Sequence, residues 1–276
     1  MVATGGQKWQ PKIIRRFIKS FATSTEVVLV ETDQGRGYLK ALGNKTGPHA
    51  LACEWVGTNL ATLLGLPTLD FAIIEIGEDD EIPLASGNLA LPGPAFITRT
   101  EKGFSWGGKA NELKRIANPK DIGRLVLFDT WLLNCDRYHP NLAVRKPNRD
   151  NVFLSRDGAP RGKFVIKAID HTHCFTCGGE LTHRLAQINQ VRDERTYGLF
   201  PEFEEFLTSA DMRRAVSDLQ KIRRTDVQAL VDAIPVKWQV NKQVRDALVN
   251  FICDRATYLI ENFVSRRWSQ GELELC

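Results

Sequence analysis

The sequence predicts an α+β chain in two lobes, the first rich in β-strands and the second mainly helical. Short apolar runs of strand length, separated by glycine-bearing turns, recur between Val27 and Ile97. From Pro201 onward apolar residues return at helical intervals instead, and between the two regimes lie a polar loop and one more buried strand. The division is expected near residue 98, with 1–98 in the first lobe, 99–276 in the second, and both packed as one domain.

Residues 11–19 mix Ile13, Ile14, Phe17 and Ile18 with Lys12, Arg15, Arg16 and Lys19, and they fit the helical and extended periods equally badly. A solvated face explains those charges better than a docking patch. The polar run 20–25 then leads into a strand at 27–30, Gly35-Arg36-Gly37 marks a tight turn, and 38–42 returns as the partner strand. Lys40 lies in the middle of that apolar strand, where a cation is costly unless it reaches solvent or meets an anion. The next helix offers one: it begins near Pro48 and stops at Gly65-Leu66-Pro67, with Ala52, Val56, Leu60 and Leu63 as its apolar stripe. Glu54 shares a side with Leu51 and Ala61, so its carboxylate is expected half-buried. A strand lysine facing a helix glutamate is one way to hold nucleotide phosphates. A structural ion pair or an edge lysine gives the same local pattern.

Residues 71–76 read as another strand and 78–81 as an acidic turn. Ala95-Phe96-Ile97 is a short strand at the passage between lobes, where backbone groups of Phe96 and Ile97 suit an adenine ring, although core packing explains the same residues. Residues 103–109 read as an irregular loop and 119–133 as a helix with Asp121 favourably placed against its dipole. The later helices are expected at 212–222, 226–234 and 243–263.

The stretch that carries chemistry is Asn134-Cys135-Asp136-Arg137-Tyr138-His139-Pro140-Asn141, taken with Ala168-Ile169-Asp170. The first is a polar loop between a helix and the apolar triplet Leu142-Ala143-Val144; the second ends the buried strand 164–169. If those strands pair as a hairpin, Asn141 and Asp170 meet at one end with Asp136 on the preceding loop. One amide and two carboxylates on a polar rim suit Mg²⁺, and a carboxylate off the metal is placed to take a proton from an attacking hydroxyl. An Asx-rich turn and a strand cap would explain either half alone, but the interval of five from Asp136 to Asn141, paired with Asp170, favours phosphoryl transfer.

Composition sets bounds. The 276 residues are 43% hydrophobic and 25% charged, enough for one two-lobed domain or two small domains. A net charge of +4 is too slight to argue for nucleic acid or a membrane surface, and no apolar run of membrane-spanning length occurs. The polar start and the six scattered cysteines (Cys53, Cys135, Cys174, Cys177, Cys253, Cys276) are expected of a cytoplasmic chain with reduced thiols. His171, His173, Cys174 and Cys177 invite a zinc reading, but no second ligand pair of that kind follows.

These residues resemble the HipA-like kinases, a branch of the protein kinase and phosphatidylinositol kinase superfamily. The resemblance is carried by Gly35-Arg36-Gly37-Tyr38-Leu39-Lys40, by Glu54 in the helix ending Leu63-Leu64-Gly65-Leu66-Pro67, by the 134–141 loop and by Ile169-Asp170-His171. Gly198-Leu199-Phe200-Pro201-Glu202-Phe203 adds support, and the likeness spans about residues 14–263. It implies a two-lobed protein-kinase-like fold that uses ATP and Mg²⁺. Lys40 would contact the phosphates and pair with Glu54, Asp136 would be the catalytic base, Arg137 would support the loop, and Asn141 and Asp170 would bind the metal. The 20–25 loop, with Ser20, Thr23 and Ser24, would cover the phosphates in place of a Gly-rich loop, and Ser20, Thr23, Ser24 and Thr25 offer sites for autophosphorylation. Departures are the missing G-x-G-x-x-G, His171-Thr172 in place of Phe-Gly after Asp170, and Tyr138 where many relatives carry His.

Three functions follow as expectations: a Mg-ATP-dependent Ser/Thr protein kinase, a lipid or small-molecule kinase of the same fold, and a pseudokinase serving as an interaction module. Retention of Lys40, Asp136, Asn141 and Asp170 weighs against the third. The acceptor, an antitoxin-like or other protein regulator, and the oligomeric state stay open, since fold does not determine them.

Overall fold

A computed structural model of the chain describes residues 9–267; the outermost residues of both expected lobes, Cys276 among them, lie outside the described residues. The first part is a five-stranded antiparallel sheet in the order β1-β2-β3-β5-β4, formed by Ile14–Ser20, Val28–Thr32, Gly35–Leu42, Leu91–Arg99 and Phe71–Ile76 (β4). Strand β1 lies at the edge, and register shifts at Ile14/Arg16 and Phe17/Lys19 interrupt its pairing with β2. Those irregularities break the period-two alternation, which is why residues 11–19 matched neither template.

Helix α1 (Pro48–Leu63) packs on one face of this sheet. It is buried on every side from Ala50 to Ala61, so Glu54, expected half-buried, is 3% exposed. One flank meets the sheet and the other meets the second lobe. Trp55 Nε1 donates to the Leu230 carbonyl at 3.0 Å, and Trp238 Nε1 donates to the Pro94 carbonyl of β5 at 2.9 Å. The main apolar core accordingly runs from Leu51, Val56 and Leu60 into the helices beyond, while a smaller cluster of Trp9, Val28, Val30, Leu39, Ile74 and Ile97 covers the other face of the sheet.

The second lobe begins with β6 (Gly103–Ser105), where an irregular loop was expected, and the short α2 (Ala110–Leu113). Helix α3 (Asp121–Trp131) delivers the chain to the polar loop; Leu133, at φ 50, turns it out of the helical path. Strands β7 (Val152–Ser155) and β8 (Val165–Ala168) join β6 in a three-stranded antiparallel sheet. The remainder is helical: α4 (Ile188–Val191), α5 (Ser209–Leu219), α6 (Arg224–Asp232) and the 26-residue α7 (Lys242–Arg267). Arg255 of α7 is fully buried and donates to the carbonyls of Thr130, Val191 and Asp193, which binds the last helix to the end of α3. No helix among the described residues is long and apolar enough to cross a membrane.

One expected pairing is corrected. Leu142-Ala143-Val144 forms turns with exposed side chains, and the partner of the Asp170 strand is β7, in the register Val152↔Ala168. Val152-Phe153-Leu154 carries the β-branched and aromatic residues that a half-buried strand favours, and Leu142-Ala143-Val144 carries fewer.

Candidate active site

Strand β3 presents Lys40 to the interior. Its Nζ donates to Glu54 Oε2 at 2.7 Å and to Asp170 Oδ1 at 2.9 Å, so the lysine joins the sheet, helix α1 and the end of β8. Burial works against the ammonium, but the charges of Asp170 and Glu54 outweigh it and hold the Lys40 pKa above its ordinary value. Burial likewise opposes the Asp170 carboxylate, yet Lys40 and a hydrogen bond from Thr172 hold it well below the usual range. Burial raises Glu54. That residue also accepts the backbone N–H of His171 at 2.9 Å. Helix α1 can come this close because residue 57 is glycine: a Cβ there would sit 2.5 Å from His171 Cβ.

Asp136 lies a short distance along the polar loop. Its Oδ2 accepts Asn151 Nδ2 at 2.7 Å and Asn148 Nδ2 at 3.0 Å, its other oxygen meets the Arg145 guanidinium, and His173 Nδ1 stands 3.7 Å away. Arg137, fully buried, donates from Nε to the Asn151 carbonyl at 3.1 Å, from Nη2 to the Ile169 carbonyl at 2.8 Å, and from Nη1 to Asp129. It therefore ties the loop to the last residues before β7 and after β8. Burial raises the Asp129 carboxyl to about 6, against the pull of Arg137 and Asn134. Residue 198 must be glycine here, since a Cβ would fall 2.1 Å from Asp129 Oδ2.

The cleft between the lobes measures about 330 Å³. Thr23, Tyr38, Lys40, Glu54, Phe96 and Asp170 are among its lining residues. Of the expected phosphate-loop residues, Thr23 faces this cleft. Ser20 Oγ instead donates to the Pro83 carbonyl at 2.6 Å, and Ser24 is exposed with its carbonyl accepting Thr46. Phe96 lines the cleft and stacks on Phe71, whereas Ile97 packs in the smaller core. Both sit in a strand paired on two sides, to β3 and β4, so their backbone groups are engaged in the sheet and not free for a base. The passage between lobes lies further on, where Thr98, Glu101 and Gly103 line the cleft.

Asn141 is not brought to the site. It is exposed, and its Oδ1 accepts the backbone N–H of Ala143 at 3.0 Å. Asn151 stands where it was expected, at the start of the strand that pairs with Asp170's own. The usable signal was an Asn directly before an apolar triplet, and between the polar loop and Asp170 it occurs twice, at Asn141 and at Asn151. Asn148, Arg145 and Asp129 gave no sequence signal. The cysteine expectation is also corrected: Cys135 and Cys177 form a disulfide with Cα atoms 5.5 Å apart, which joins the polar loop to the segment after Asp170. His171 is buried with both ring nitrogens unpartnered, and Cys174 is a buried free thiol.

A family model described as HipA-like kinase matches residues 12–270. The chain belongs to this family. The fold agrees: the crystal structure of a Helicobacter pylori proinflammatory kinase, CtkA, is similar at a TM-score of 0.60 and 12% identity, covering 97% of this chain and 99% of that one. The golgi casein kinase is also similar, at a TM-score of 0.46 and 10% identity over 94% of this chain and 74% of that one. Among curated proteins no sequence relative matches.

Proposed function

We propose that this HipA-like kinase transfers the γ-phosphoryl group of Mg-ATP to a Ser or Thr hydroxyl of a protein. Support comes from one observation above the others. Residues 40, 54 and 170, distant in sequence, converge as a Lys–Glu–Asp cluster that lines the cleft, the lysine and glutamate buried and the aspartate partly open to it. Lys40 would bind the α- and β-phosphates, with Glu54 holding it in place. Thr23 would face the phosphates from the loop between β1 and β2, and the base would lie between Thr98 and Gly103.

The residues present fit a hard divalent cation. Every hydrogen bond described for Asp170 falls on Oδ1, which leaves Oδ2 as a ligand, and Asn151, at the same end of the β7–β8 hairpin, has an amide oxygen that accepts only a long 3.3 Å bond from Asn148 and keeps a lone pair for the cation. Mg²⁺ takes few protein ligands and keeps phosphate and water oxygens, so two suffice. When bound, it would neutralise charge on the β- and γ-phosphates. Asn151 and Asn148 orient the Asp136 carboxylate, which would align the acceptor hydroxyl and receive its proton as the phosphoryl group leaves ATP. Arg145, on the other Asp136 oxygen and still one-third exposed, would face the transferring group.

The test is transfer from γ-labelled ATP with Mg²⁺ to the chain itself and to proteins of a lysate, beside Asp136→Ala and Asp170→Ala. Both substitutions are expected to abolish labelling of Ser or Thr, while Asp136→Ala keeps the thermal stabilisation by ATP. A folded native chain that ATP stabilises but that labels no protein would overturn the protein-kinase reading and leave a small-molecule acceptor or a binding module.

A further inference from the structure

Residues 156–163 close the β7–β8 hairpin at the end opposite Asn151 and Asp170. Against this turn lies a cavity of about 350 Å³ whose lining includes Arg115, Arg156, Arg161 and Lys163, with no carboxylate. The whole chain carries a net charge of only +4, so four cations around one cavity are a local concentration and not the average surface. Nearby acids do not neutralise them. Arg16, Arg99, Arg195 and Arg223 each meet a carboxylate, but Arg115, Arg156, Arg161 and Lys163 enter no ion pair among the described residues. Asp157, in the same turn, directs Oδ2 to the backbone N–H of Lys102 at 2.9 Å.

Arg115 is fixed in advance. Its Nε and Nη2 both donate to the Gly162 carbonyl, at 3.1 and 2.9 Å, and its guanidinium stacks 5.0 Å from the centre of the Phe164 ring. Phe164 is itself buried against Phe104. A planar donor held this way loses little further freedom when an anion arrives, and its remaining N–H groups stay available. A merely solvated basic turn would need no such anchoring.

We propose that this cavity binds a phosphate monoester dianion, carried by a phosphorylated polypeptide or by a small free phosphate. Such a group brings roughly −1.5 to −2 charges and three strong acceptor oxygens, which match several guanidinium and ammonium donors around a small space. The site is separate from the interlobe cleft and stands whether or not the chain is a protein kinase.

The experiment titrates the full chain with inorganic phosphate, and with a phosphoserine peptide beside its unphosphorylated form, for wild type and for Arg115→Gln/Arg161→Gln. These exposed side chains are not part of the folded core, and an unchanged melting temperature will verify that. Phosphate is expected to bind, and the double substitution to weaken it about tenfold or more, the scale of one lost charge-assisted contact. Preference for the phosphopeptide over free phosphate assigns a polypeptide source; equal binding assigns a small one. Absent phosphate binding, or binding that survives the double substitution and so belongs to the nucleotide cleft, overturns the proposal.

Discussion

Asn151 and Asn141 offer a direct comparison between what lies in the loop and what the fold delivers. Asn151→Ala removes a hydrogen bond to Asp136 and an amide oxygen at the end of the hairpin where the cation is proposed, whereas Asn141 touches only its own turn. Labelled-phosphate transfer is therefore expected to fall about 10²-fold or more in Asn151→Ala, within the range of a displaced general base, and to stay near wild type in Asn141→Ala. Equal loss in both would refute the assignment. The Lys40–Asp170 pair makes a second prediction, in pH. Asp170 is depressed in the folded state, so its contribution is present above its unfolded pKa of about 3.9 and is lost as pH falls through the folded value; Lys40 is raised, so its share is present below about 10.4 and is lost at higher pH. Urea melts are expected to show Asp170→Asn less stable than wild type by a constant margin from about pH 5 to 9, narrowing below pH 4. A margin that widens on acidification would contradict the charge assignment.

At the scale of elements, the polar loop is held by its own buried arginine. Arg137 joins Asp129, the carbonyl before β7 and the carbonyl after β8, so the three pieces that carry Asp136, Asn151 and Asp170 move as a unit. Arg137→Met would leave Asp129 buried without its cation, and the expected loss is about 3–5 kcal/mol in denaturant unfolding, as for other broken buried pairs. Asp129→Asn/Arg137→Met is expected to recover part of that loss, because the uncompensated charge is gone. No recovery would mean that the arginine acts through its carbonyl contacts alone. Several elements were legible beforehand. Strands β2 to β5, α1, α3 and the C-terminal helices follow from apolar period and from the Pro48 and Gly65 boundaries. Strand β1 was not, because bulges erase its alternation, and the hairpin was misplaced because two Asn-led apolar triplets compete for one strand.

The molecule as a whole is fastened across its cleft by tryptophans. Trp55 reaches α6 and Trp238 reaches β5, and helix α1 belongs to the same core as the C-terminal helices. The lobes are accordingly expected to unfold in a single urea transition, with Trp238→Ala costing about 3–5 kcal/mol and loosening ATP binding. Two separated transitions in the native chain would refute the shared core. What the sequence alone determined was the two-lobed order of strands before helices and the presence of Lys40, Glu54, Asp136 and Asp170, because a charge in or at the end of an apolar run is visible without knowing its partner and the polar loop marks Asp136 by its motif. What only the tertiary structure decided was which groups meet. Asn151 rather than Asn141, Arg145 and Asn148 on Asp136, Arg115 drawn to the hairpin turn, and the two tryptophans that span the lobes depend on how the loops fold back, on strand register and on packing between segments, and neither composition nor local period carries that information.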